Sequence, residues 1–172
     1  PGAAVDVQSP LYSLSAMPYK WTQMFVTQPE LAQYTQQVFN TFNLTPHVHL
    51  EHEVTNSQWD TQRQLWCLNI IGSDPIYSKY IINATGPLSM PVIPNFPGKE
   101  TFTGINFHTN NWPDDLDLAD KRVAIVGSGA SAAQVIPAIV DEVKSLAVFQ
   151  RSPHWIIPRP DMTFAAGMQW LL

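Results

Sequence analysis

Two groups of residues in this 172-residue chain have types and spacings that suit chemistry. The first is Gly127-Ser128-Gly129, followed by Ala130, Ser131 and Ala132. Ahead of it, Arg122 to Val126 is a short β-branched run of the kind that forms a buried parallel strand. The run ends at a turn tight enough to favour residues without a Cβ. The small residues beyond the turn suit a helix whose free N–H groups face the turn. Strand, glycine turn and helix N-terminus together make a site for a dinucleotide pyrophosphate. Ala132 stands where a G-x-G-x-x-G pattern has its third glycine, and there the need is close packing of helix on strand. The same residues also fit a tight strand-to-helix turn that holds no ligand.

The second group is Arg151 with Ser152, at the end of the next apolar run, Leu146 to Phe149. Arg151 lies 22 residues after Gly129 (151 minus 129). A fold selective for NADH places an acid there, against the ribose 2′-hydroxyl. A guanidinium instead suits a 2′-phosphate, which it grips with two parallel hydrogen bonds, so the expected ligand is NADPH. A solvated arginine at a strand end is the alternative. Ser128 has glycine on both sides and is not the nucleophile of a G-x-S-x-G elbow.

The elements that must position these residues can be read from periodicity. Thr27 with Glu30 forms a capping box, and Pro29 is tolerated in a first turn. Leu31, Tyr34, Val38, Phe39 and Phe42 then make one apolar helical stripe, which Pro46 ends. From Val48 the period becomes two. Val48, Leu50 and Val54 to Trp59 predict a strand, Asp60 to Gln64 a turn, and Leu65 to Ile71 the antiparallel partner. A further strand is expected over Ile76 to Asn83, ending at Ala84-Thr85-Gly86. Prolines 87, 91, 94, 97 and 113 make residues 87–120 a stiff, extended connector. After the glycine turn a helix of about 13 residues is expected, burying Val135, Ile136, Ile139, Val140 and Val143, with Pro137 inside it. The fold class is α/β, with two incomplete dinucleotide-binding (Rossmann-like) domains and an inserted antiparallel β-meander. Residues 1–86 are expected to form the later part of one domain, and residues 121–172 the first βαβ unit of the other.

Composition narrows the function classes. Apolar residues make up 45%, enough for a sizeable core, and the net charge of -5 with no basic run gives no reason to expect nucleic acid. The single cysteine, Cys67, excludes an internal disulfide framework and a CxxC pair. No apolar run approaches the roughly 20 residues that span a bilayer. The opening on Pro1-Gly2-Ala3, without a methionine, is expected to belong to a longer protein. A reducing, cytoplasmic compartment is expected.

The stretch Phe102-x-Gly104-x-x-x-His108-x-x-x-Trp112-Pro113 resembles the fingerprint of Baeyer–Villiger monooxygenases, and it precedes the NADPH-binding glycines as in that family. Pro1-Gly2-Ala3-x-x-Asp6 with Tyr12 is similar to the family's flavin-contacting loop. Ala84-Thr85-Gly86 resembles its A-T-G strand end, and Phe149 to Pro153 its F-Q-R-[ST]-P segment. The resemblance covers nearly the whole chain. It implies that NADPH reduces a bound FAD, that the reduced flavin takes up O2 as a C4a-peroxide, and that a ketone becomes an ester or lactone.

The resemblance also implies roles. Asp6 would lie beside flavin and nicotinamide, Tyr12 would touch the flavin, and the Val54 backbone would meet the FAD adenine. Thr85 and Gly86 would approach the flavin cofactor. Residues 127 to 134, Gln134 included, would hold the NADPH pyrophosphate. His108 and Trp112 would couple domain movement to catalysis. The family's N-terminal FAD glycine motif and its active-site arginine are absent from this chain, and Ala4 replaces an arginine common in one branch. The 172 residues alone are therefore expected to bind FAD poorly and to be inactive, needing the remainder of their own chain as partner.

Plainer readings stand beside these. Asp6 could be a turn former, and His108 and Trp112 packing groups in a stiff linker. Trp21, Phe25 and Tyr34 are expected in the core, and Cys67 as a packing thiol. His47, His49 and His52, read as a strand, would not share one face, so no metal site is expected. Alternatives for the whole are a flavin-containing monooxygenase oxidising N or S atoms, or a non-catalytic NADPH-binding remnant. A two-dinucleotide disulfide reductase needs a cysteine pair that this stretch lacks.

Overall fold

A computed structural model describes residues 2–170, so Pro1 of the opening motif lies outside the described residues. The chain forms two compact units, Pro1–Phe42 with Asn111–Leu172, and Asn43–Asn110.

The first unit is built around an aromatic cluster. Trp21 and Val26 are fully buried, and Val5, Met17, Phe25, Tyr34 and Phe164 pack with them. Trp21, Phe25 and Tyr34 are thus core side chains. Tyr19, Trp21 and Tyr34 meet edge-on or tilted, with ring centroids 4.6 to 5.1 Å apart, a favoured arrangement for aromatic quadrupoles. The polar ends of Trp21 and Tyr34 are satisfied locally. The Trp21 indole N–H donates to Ser13 Oγ at 2.9 Å, while the Tyr34 hydroxyl accepts from Leu14 N and donates to the Met17 carbonyl.

Helix α1, Gln28–Thr41, supplies Tyr34 to this core, with Leu31 and Val38 partly buried beside it. The expected capping box does not form. Thr27 is the N-cap but makes no side-chain cap bond, and Glu30 turns instead to the backbone N–H and hydroxyl of Thr22. A second segment offering two donors outbids the single N–H at the helix start. The helix ends before Pro46 because Asn43 adopts a left-handed φ of 49°, which stops the helical run. Phe42, at the end of the stripe, is exposed.

The same unit holds one βαβ motif. Strand β4, Arg122–Val126, pairs in parallel with β5, Ser145–Phe149, and α2, Ala130–Ile139, connects them. Ala132, Val135 and Ile139 are the buried positions of α2. The helix is shorter than expected. Pro137 lies inside it, taking one donor from its last turn, and Val140 is left 47% exposed rather than buried.

The second unit is an antiparallel sheet ordered β1-β2-β3, with β1 Val54–Asp60, β2 Leu65–Ile70 and β3 Ile76–Ser78. This is the expected meander, with two boundaries corrected. Residues 48–50 are not strand, because a short 3₁₀ turn over Thr45–His47, with Pro46 at its second position, precedes them and Glu51 takes a left-handed φ of 58°. The third strand stops at Ser78 because β3 pairs with β2 at three positions only. Residues 79–110 run on without α-helix or strand, with single 3₁₀ turns at Lys99–Thr101 and Thr109–Asn111. Among the described residues, no helix is long and apolar enough to cross a membrane.

Candidate functional site

The glycine turn follows directly from the parallel pair. Strand β4 ends at Val126, and Gly127 takes a φ of 119° that an L side chain rarely adopts. Gly129 is the N-cap of α2, and no side-chain cap bond closes that end. The first N–H groups of a helix have no partner within it, so they are available to an anion here. A Cβ built on Gly127 or Gly129 would meet nothing within 4 Å. The space over the turn is open, and its donors are backbone groups. A pyrophosphate fits that donor set. Ala132, in the third glycine place, is buried, as close packing of helix on strand requires.

The turn is tied to the end of β5. The Gly127 N–H donates to the Phe149 carbonyl at 2.8 Å, and Ser128 Oγ donates to the Ser152 carbonyl at 3.3 Å. These bonds bring the 149–152 segment alongside the glycine turn. Arg151 and Ser152 are exposed there, with Ser131 and Ala130 exposed on the first turn of α2. The structure therefore brings Gly127, Ser128, Gly129, Ala130, Ser131, Arg151 and Ser152 together.

Asp6 belongs to a loop packed in the same unit. Its carboxylate accepts the Tyr12 hydroxyl at 2.9 Å, so these two residues are neighbours. Burial, followed by the hydrogen bond and the negative charge of Asp6, raises the Tyr12 phenol above its ordinary value of 10.0. The loop is fixed from below by Ser9, which is fully buried. Its Oγ donates to the Met24 carbonyl at 3.0 Å and accepts the Val26 N–H at 2.9 Å. Asp6 itself stays exposed.

Gln134, expected at the pyrophosphate, accepts the Ala4 N–H at its carboxamide Oε1, at 3.0 Å. Periodicity carries no mark of this tie. The other unforeseen residues are Arg159 and Asp161. The Arg159 guanidinium lies 5.0 Å from the Phe25 ring centre, donates to the Val5 carbonyl at 3.4 Å and pairs with Asp161. Asp161 in turn accepts the Phe25 N–H at 3.2 Å. Their one sequence signal is an Arg and an Asp flanking a proline in an otherwise apolar tail.

The remaining expected residues are placed singly. Trp112 is half-buried in the first unit. In the second unit Val54 opens β1 at a register irregularity and is 49% exposed. Thr85 bonds Asn83 Oδ1 through both its N–H and its hydroxyl, and Gly86 takes a φ of 76° with open space around its Cβ position. His108 Nδ1 accepts the Asn110 N–H at 3.1 Å, which puts the proton of the neutral ring on Nε2. The Phe102 ring lies over Gly104, where a Cβ would overlap it.

His49 and His52 are ring neighbours, 5.3 Å between centroids, on a turn rather than the strand assumed from sequence. Among the described residues no three His, Cys, Asp or Glu side chains converge as metal ligands do. Cys67 is half-buried with its thiol 3.9 Å from Asn69 Oδ1.

Comparison with known proteins gives a family. The family described as pyridine nucleotide-disulphide oxidoreductase matches residues 6–165. A Baeyer–Villiger monooxygenase of Streptomyces coelicolor is 42% identical over 168 residues, 97% of this chain and 32% of the relative. Among solved structures, cyclohexanone monooxygenase from Rhodococcus sp. Phi1 bound to NADP+ superposes with a TM-score of 0.90 at 33% identity, over 99% of this chain and 33% of that one. A structure of OTEMO in complex with FAD and NADP gives a TM-score of 0.90 at 28% identity, over 99% of this chain and 34% of that one. The chain spans about a third of the length of the proteins it matches.

Proposed function

The chain belongs to the pyridine nucleotide-disulphide oxidoreductase family, and from that premise we propose that it is part of an FAD- and NADPH-dependent Baeyer–Villiger monooxygenase. Residues 1–86 would contribute to the FAD domain, 87–120 would connect, and 121–172 would open the NADPH domain. The substrate class is a small ketone, with O2 as the second substrate and an ester or lactone as product. The observation that carries the reading is the pair of hydrogen bonds holding the 149–152 segment beside an open glycine turn. That arrangement provides for both the pyrophosphate and the 2′-phosphate of one NADPH.

When bound, NADPH supplies the electrons and FAD the oxygen-activating chemistry. The chain's own residues bind and orient. Backbone N–H groups at Gly129 to Ser131 meet the pyrophosphate, and Arg151 with Ser152 meets the 2′-phosphate. Asp6 and Tyr12 hold one another on the loop that would face the flavin. Within the second unit, Val54, Thr85 and Gly86 are the residues that would contact FAD. His108 orders the turn at Thr109–Asn111 through Nδ1. That use of the ring fits a role for the Phe102 to Pro113 stretch in domain movement better than proton transfer.

The test is cofactor preference in the full-length protein. NADPH should bind more tightly than NADH, and Arg151→Ala should remove roughly tenfold or more of NADPH affinity while leaving NADH unchanged, the scale of a lost charge-assisted hydrogen bond. Equal affinity for the two nucleotides before mutation would overturn the assignment of Arg151.

A further inference from the structure

The loop that carries Asp6 is gripped immediately before that residue, at two successive positions, by segments that follow the glycine turn. On one side the Gln134 carboxamide, on the second turn of α2, takes the Ala4 N–H. On the other side Arg159 donates to the Val5 carbonyl while its plane rests over Phe25. Gly2 makes the approach to α2 possible. It has a left-handed φ of 72°, and a Cβ there would run into the Gln134 carbonyl oxygen and the Ala138 methyl. The loop is joined on its remaining side to Thr27, through the Gln28 N–H to the Ala3 carbonyl and the Val5 N–H to the Val26 carbonyl.

We infer that Gln134 is a positioning residue for Asp6 and not a contact to the dinucleotide: it fixes the Asp6 loop to the helix whose N-terminus receives the pyrophosphate. The inference rests on the NADPH reading above. Its consequence is mechanical. A shift of α2 on nucleotide binding is passed to Ala4 by a hydrogen bond and to Gly2 by close packing, so Asp6 moves with the helix. Arg159 opposes any independent motion of Val5.

Three measurements on the full-length protein decide it, each on Gln134→Leu, Gly2→Ala and the double variant. Hydrogen exchange at the Ala4 amide should quicken about tenfold in Gln134→Leu, the size of one lost hydrogen bond. The dissociation constant for NADPH should stay within about twofold in all three, since no variant removes a cofactor contact. Ketone-dependent turnover should fall in both single variants, and the double should lose no more than the worse single, because both loosen the same joint.

Unchanged exchange at Ala4 would overturn the tether whatever the activity shows. A tenfold weaker NADPH affinity in Gln134→Leu alone, with Gly2→Ala normal, would make Gln134 a cofactor contact instead. If the unmutated protein oxidises no ketone, the Baeyer–Villiger reading fails, while the exchange and affinity measurements still judge the tether.

Discussion

Residues 3–26 contain one short 3₁₀ turn and no paired strand, yet they bury Val5, Ser9, Met17, Trp21, Phe25 and Val26. The three-stranded sheet over residues 54–78 is closed by backbone pairing, with one register shift between Val54 and Asn56, yet every side chain on it is exposed or half-buried. The two regions divide the sources of stability differently. In the loop core, side chains close the backbone, as Ser9 and Tyr34 do for Val26, Met24, Leu14 and Met17. In the sheet, the backbone closes itself and side chains add cross-strand pairs such as Trp59 with Trp66, centroids 5.5 Å apart. Between these two regions, burial does not follow regular secondary structure.

The contrast can be broken most directly with matched tryptophans. Trp21→Ala empties a fully buried site and should cost about 3–5 kcal/mol, the range for large-to-small changes in packed cores. Trp66→Ala removes one member of a partly solvated cross-strand pair and should cost about 1 kcal/mol or less. Chemical denaturation followed by circular dichroism compares them, and equal losses would end the distinction. Ser9→Ala is the intermediate case. It leaves the Val26 N–H buried without its acceptor, at about 1–3 kcal/mol, although no carbon is lost from the core. A loss below a few tenths of that would show that the loop closes by packing alone.

What the sequence revealed follows the same division. Period-two alternation located β1 and β2, and the β-branched run ending in glycine located β4 and its turn. Those signals are local, carried by neighbouring residues. The capping box failed because Glu30 had a better offer from Thr22, eight residues away, and eight-residue relations leave no periodic trace. The Gln134 to Ala4 bond spans 130 residues and the Arg159 to Val5 bond 154, so they are invisible to any windowed reading. Asp6, Tyr12, His108 and Trp112 were legible through family resemblance alone. Arg151 entered on a physical argument, a charge at the end of a strand after a glycine turn, which suits a 2′-phosphate and equally fits a solvated strand end. Its neighbourhood to Ser128 needed the structure.

The smallest expected effect probes the sheet, where closure by backbone should make charge matter only locally. Asp60 ends β1 and caps the turn to β2. Its Oδ1 accepts the N–H groups of Gln62 and Arg63, both at 2.9 Å, and its Oδ2 meets the Arg63 guanidinium at 3.2 Å. The Arg63 N–H is the largest influence holding the carboxyl below its ordinary value of 3.8; desolvation, the next largest, opposes it, and the Gln62 N–H and the Arg63 side chain add to the lowering. A carboxyl with a lower value in the fold than in the unfolded chain binds its proton less readily when folded. Its contribution is complete above the ordinary value and drains as pH falls through the lower, folded one. The ¹³Cγ resonance of Asp60, titrated in the folded protein and again in urea, should give the lower midpoint in the fold. The turn amides of Gln62 and Arg63 should lose protection in that same acid window, while the Val26 amide, held by an uncharged hydroxyl, should not respond. Coincident midpoints in the two states would remove the cap, and a parallel response at Val26 would show the loop core and the sheet opening as one.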